Sequence, residues 1–177
     1  MKQLIVFVIS CLIAPTVAMA QDPSANPLAA TARETFDQYS KNLVATAEEM
    51  PAAKYVYHPT PEQMTFGKTI EHVAQVNNFA CAKFSDMPAP QGSKATEADG
   101  KAKLVAGLKA SMDFCAEAFS KLTDAKLAEP VTIFGGQRTT RLGAAMEVTD
   151  DLIDHYAALA VYLRLNGLLP PTAQKKP

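Results

Sequence analysis

An all-α four-helix bundle is predicted for this chain, on three observations. Apolar residues recur at helical spacing in four separate stretches, proline and glycine cluster between those stretches, and only residues 131–134 look extended. The 177 residues are enough for one domain with a substantial core.

The first twenty residues stand apart from that core. Met1-Lys2-Gln3 is a short positive segment, the run to Ala18 is apolar, and Ala18-Met19-Ala20 is a small-x-small cleavage site. The run is too short and wrongly flanked for a permanent membrane anchor. Lipidation at Cys11 fits poorly, because Ile9-Ser10 precedes it and the charged and apolar regions would be very short. The expectation is a cleavable signal peptide over 1–20, a mature protein beginning at Gln21, and a secreted, periplasmic location without a stable membrane span. Flexible polar ends are expected at 21–28 and 172–177, flanking a bundle over 29–171.

The first helix is predicted at about 29–50, with Ala32, Phe36, Tyr39, Leu43, Ala47 and Met50 on one face and Pro51 at its end. Thr60-Pro61-Glu62-Gln63 reads as a capped single turn, and Thr65 as the N-cap of a second helix over 66–84. Its inward positions are Ile70, Val73, Val76 and Phe79, and His72 shares a face with the last two. Residues 85–96 form a Pro/Gly/Ser linker of about twelve residues. At roughly 3.3 Å each these could span a bundle of about 30 Å, so a crossover connection is allowed though not required.

Thr96 and Asp99 stand in capping-box spacing at the start of a third helix, about 97–122. Leu104, Leu108, Met112, Cys115, Phe119 and Leu122 make its stripe. A short extended piece at 131–134 precedes the last helix, about 142–166, which Asn166-Gly167 and Pro170-Pro171 stop.

Without Lys2 the chain has sixteen basic against eighteen acidic residues, a formal charge of −2. With no basic run beyond Lys175-Lys176 and no Trp, a nucleic-acid partner has no electrostatic footprint. The mature chain keeps Cys81 and Cys115, an even pair on neighbouring helices. In an oxidising compartment they are expected to form a disulfide, the alternative being two buried thiols.

One feature of the last helix is out of character. Positions 148, 151, 155, 159 and 162 stack on one side, and among Val148, Leu159 and Tyr162 that side carries Asp151 and His155. Two polar groups in an apolar stripe need partners or a ligand. With His72 from helix 2 they form a set that could hold a divalent metal ion (zinc, nickel or iron) in a bundle core, leaving positions open for water or substrate. Taken singly, each His reads more readily as a hydrogen-bonded helix histidine than as a ligand. His58 reads as a turn residue, Asp150 and Asp154 as a solvated face, Tyr156 and Tyr162 as packing residues with a polar tip, and Arg164 as a helix-end cation.

The segments GKTIEHVAQVNNFAC and DHYAALAVYLRLNGLLPP, with YHPTPEQMTFGKTIEHV before them, resemble the DinB-like (DinB/YfiT) superfamily of helical bundles. The resemblance spans essentially the whole mature chain. It implies a four-helix bundle, often up-down-down-up and frequently a homodimer, with a metal triad of one His in helix 2 and a His-x-x-x-His pair in helix 4. His72 and His155 match the outer positions, and Asp151 stands where the family commonly has His. A carboxylate can still ligate zinc or iron, or the site could be a decayed one in which Asp151 only hydrogen-bonds a histidine.

Two function classes follow. One is an exported metal-dependent enzyme of hydrolase or transferase type acting on an unknown small molecule. Characterised relatives include thiol-dependent S-transferases and isomerases, and export weighs against the thiol-dependent version. The other is a non-catalytic periplasmic bundle that binds a small ligand or a partner, with a degenerate metal site. No GxSxG or HExxH motif is present, and the sequence names no separate general base.

Overall fold

A computed structural model describes residues 25–91 and 95–175; the expected signal peptide lies outside them. Four long helices carry the fold: α1 (Pro27–Glu49), α2 (Phe66–Ser85), α3 (Gly100–Ser120) and α4 (Arg141–Leu165). α1 packs mainly on α3 and α4, and α2 on the same two. Phe36 stacks on Phe119 and the Ala29 N–H reaches Asp124, so α1 and α3 are antiparallel. Asn77 meets Ser111 and Cys81 is bonded to Cys115, so α2 and α3 run parallel. His72 faces Asp151 while Arg141 reaches the Phe84 carbonyl, so α4 runs against α2. The result is an up-down-down-up bundle in which the connection from α2 to α3 is the crossover.

Local chemistry explains the helix limits. Thr65 Oγ1 accepts from Lys68 N at the start of α2, and Thr140 Oγ1 from Gly143 N at the start of α4. The capping box of Thr96 and Asp99 is present, although it opens a 3₁₀ turn (Glu97–Asp99) ahead of α3. At the end of α4, Leu168 N bonds the Leu163 carbonyl and Gly167 N the Arg164 carbonyl. That is a Schellman closure, and it needs the positive φ of 76° that Gly167 supplies.

α1 begins two residues before the sequence places it, with Pro27 at its first position. Its exposed amides are capped from afar: the Asp124 carboxylate accepts from Leu28 N and Ala29 N, and Asp124 N donates to Asn26 Oδ1. Thr172, assigned to the polar tail, bonds Tyr156 Oη through its Oγ1 at 2.7 Å.

The core holds Phe36, Leu43, Met50, Phe66, Ile70, Phe84, Leu104, Leu108, Phe119, Leu152 and Leu159, all fully buried. On α2 the inward face continues through Asn77, Ala80, Cys81 and Phe84; Val76 and Phe79, expected inside, are only partly buried. They face the α2–α4 seam instead.

The extended piece has a partner that the sequence reading omits. Strand β1 (Pro130–Thr132) pairs antiparallel with β2 (Arg138–Thr140). Gly135 and Gly136 turn the hairpin at φ 60° and 80°. Its return strand lies so close to α4 that a Cβ on Gly143 would stand 2.1 Å from Thr139 Oγ1.

Glu71 fastens the far end of the crossover. Its buried carboxylate accepts from Lys68 Nζ (2.6 Å), Gln75 Nε2 (3.0 Å) and the Glu97 N–H (2.9 Å). The Lys68 ammonium holds this carboxyl below the usual range, against the effect of its burial and with help from the Glu97 N–H and Gln75. Glu71→Ala is expected to cost about 1–3 kcal/mol near neutral pH. Because the folded state lowers the pKa, this stability is present above the ordinary glutamate value and lost as pH falls through the folded one. Urea unfolding of both proteins should therefore show their gap narrowing below about pH 4.

Candidate metal centre

His72 sits in the second turn of α2, held at depth by its buried neighbours Ile70 and Val73. Asp151 and His155 occupy the middle of α4, between buried Val148, Leu152 and Leu159. Because α2 and α4 are antiparallel neighbours, the three side chains meet at one level of the seam. His72 Nε2 lies 3.6 Å from Asp151 Oδ1, His155 Nδ1 lies 3.8 Å from the same oxygen, and the two imidazoles stack with centroids 5.0 Å apart. One ligand atom from each residue lies within 4.8 Å of the others.

The seam is a boundary rather than an interior. Asp151 and His155 are 16% and 13% exposed and His72 is 40% exposed. A cleft of about 440 Å³ opens beside the group, and His72 and Asp151 are among the residues that line it.

The donor chemistry fits a divalent ion. His155 Nδ1 donates to the Asp151 backbone carbonyl at 3.0 Å, which leaves Nε2 of a neutral ring with a free lone pair. Asp151 Oδ2 is buried without a hydrogen-bond partner. An orphaned carboxylate oxygen in that position is costly unless something positive meets it. Burial pushes the Asp151 carboxyl above its usual range, and His155 and then His72 pull it back. Donors about 2.0–2.2 Å from a tetrahedral ion are roughly 3.3–3.6 Å apart. The His72–Asp151 pair already has that spacing; the group as a whole lies within 4.8 Å and must draw together for all three residues to hold one ion.

The remaining candidates fall elsewhere. His58 is exposed, with Nδ1 bonded to the Thr60 carbonyl at 2.7 Å. Tyr162 Oη donates to the Met64 carbonyl, and Arg164 to the Ala160 carbonyl. Cys81 and Cys115 form a disulfide with Cα atoms 5.4 Å apart, between α2 and α3. Asp150 and Asp154 are exposed as expected, yet both line the cleft, together with Glu147 and Phe134. Phe134 is the residue that the sequence reading missed. The Gly135-Gly136 turn beside it was the available signal that a hairpin presents it.

The sequence model of the DinB superfamily matches residues 35–159, and the chain belongs to that superfamily. No curated protein matches it. Among solved structures, a DinB-like protein from Bacillus subtilis is 18% identical, with a TM-score of 0.65 over 82% of this chain and 99% of its own. A conserved protein from Enterococcus faecalis is also 18% identical, with a TM-score of 0.55 over 75% of this chain and 92% of its own. Both likenesses concern the fold.

Proposed function

We propose that this chain is an exported, divalent-metal-dependent enzyme of the hydrolase or transferase type, with His72, Asp151 and His155 as ligands. The observation that carries the reading is the Asp151 carboxylate, whose Oδ1 lies 3.6 Å from His72 Nε2 and 3.8 Å from His155 Nδ1 while its buried Oδ2 has no hydrogen-bond partner. Zinc, nickel or iron would accept this nitrogen–oxygen–nitrogen set. Such an ion, when bound, lowers the pKa of a coordinated water or polarises a substrate carbonyl. The protein's own part is to hold one imidazole in a fixed tautomer through the Asp151 carbonyl, to supply one negative charge, and to leave the cleft side open to a small molecule.

Export draws support from the charged–apolar–small order of residues 1–20 and from the disulfide, a bond favoured in oxidising compartments. Among the described residues, no helix is long and apolar enough to cross a membrane.

The competing reading, a non-catalytic periplasmic bundle with a degenerate site, draws on the stacked imidazoles, which hold each other short of full convergence. Elemental analysis of protein purified without an affinity tag separates the two. The enzyme reading expects a stoichiometric divalent metal that is lost in His72→Ala and in His155→Ala. Absence of metal after reconstitution would leave only the binding bundle.

A further inference from the structure

The cleft above the three candidate ligands carries an uncompensated charge. Glu147, Asp150 and Asp154 project into it from α4 at i, i+3 and i+7, where like charges sit close and repel. Some exposed carboxylates elsewhere on this surface meet lysine or arginine: Glu48 with Lys109, Glu117 with Lys121, and Asp86 and Glu129 with Arg141. Others, such as Glu34 and Asp113, stand singly without an ion pair among the described residues. Among the described residues none of the three cleft carboxylates meets a lysine or arginine, and Asp154 has only His155, at 3.6 Å. A divalent ion on Asp151 would not reverse the balance, since four carboxylates line the cleft.

The same cleft also has an apolar part that is presented rather than hidden. Phe134, at the hairpin turn, is 40% exposed. Its ring is stacked on Phe79 at a centroid distance of 4.5 Å, so it is braced from behind, and Val76 lies beside it in the cleft. Carboxylates facing an exposed aromatic ring are the combination that recognises an organic ammonium: charge attraction on one side, ring face and apolar contact on the other.

We infer that the cleft binds a small organic cation, an ammonium attached to an apolar group. The ammonium lies among Glu147, Asp150 and Asp154, and the apolar part rests on Phe134 and Val76. His72 and Asp151 line the same cleft, so the bound cation would lie beside them. The inference rests on reading this cleft as the functional site, but the recognition itself does not require the metal.

The test uses phenethylammonium and 3-phenylpropionate, which share an aromatic ring and a two-carbon spacer and differ in charge. Each is titrated into metal-free and zinc-treated protein by calorimetry, with metal content measured on the same samples. Phenethylammonium should bind saturably, and 3-phenylpropionate should not. The triple variant Glu147→Gln, Asp150→Asn, Asp154→Asn should weaken ammonium binding at least about tenfold, as expected when an ammonium loses its charged partners. Phe134→Ala should weaken it severalfold while the helical spectrum stays unchanged. Ammonium binding by a protein that never holds metal would sustain this inference and remove the metalloenzyme reading. Absence of ammonium binding, or equal binding of 3-phenylpropionate, would overturn the inference whatever the metal content.

Discussion

Replacing Cys81 and Cys115 together with alanine is expected to lower the unfolding free energy by about 3–4 kcal/mol in the chain-entropy view. For a chain of this size that corresponds to roughly 6–16 °C in Tm. The bond matters here because of topology. α2 and α3 are parallel neighbours joined by a crossover that runs the length of the bundle, so their contact closes a long loop. The disulfide closes it at a sequence separation of 34. It is fully buried beside the Asn77–Ser111 hydrogen bond, which the same register holds in place. Urea unfolding of the wild type with and without reductant should show the same sign and a similar size. Two thiols open to alkylation in unreduced, denatured protein would contradict this account of the α2–α3 contact.

Asp151 is the position at which the two readings of the site diverge most. If it ligates a metal, Asp151→Asn replaces a charged oxygen donor with a weak neutral one, and affinity should fall by at least about tenfold. Asp151→His should preserve or strengthen binding, because it supplies a second imidazole at i−4 from His155. Competition with a chromogenic chelator reads both variants on one scale. If Asp151 only hydrogen-bonds the histidines, neither substitution will change a metal content of zero, and the site will answer only in stability.

The parts of this fold that were legible in the sequence are those specified locally. Helical periodicity, the Thr65 cap, the Thr96–Asp99 capping box and the Asn166-Gly167 stop each involve residues within a few positions of one another. The candidate site was legible to the same degree. Asp151 and His155 share a face by spacing alone, while their meeting with His72 depends on α2 and α4 being neighbours, which the family resemblance supplied and periodicity did not.

What escaped was long-range or very short. Asp124 caps α1 from 95 and 96 positions away, and nothing near it in sequence announces that role. Glu71 is a charged residue on a helix, and only the approach of the Glu97 amide explains why it is buried. Strands of three residues are too short to show alternation, so β2 left no pattern and Phe134 was not recognised as a wall of the cleft. Val76 and Phe79 lie on a helical face that is apolar but belongs to the seam, and periodicity does not distinguish seam from core.

The most direct measurement on the central claim is anomalous diffraction from crystals of the untagged protein grown with zinc. The account predicts one strong peak between α2 and α4, about 2.0–2.2 Å from a nitrogen of His72, a carboxylate oxygen of Asp151 and a nitrogen of His155. The same peak should vanish in His72→Ala crystals. A zinc ion found only elsewhere, or a seam in which the two imidazoles remain stacked with no ion at saturating zinc, would contradict it.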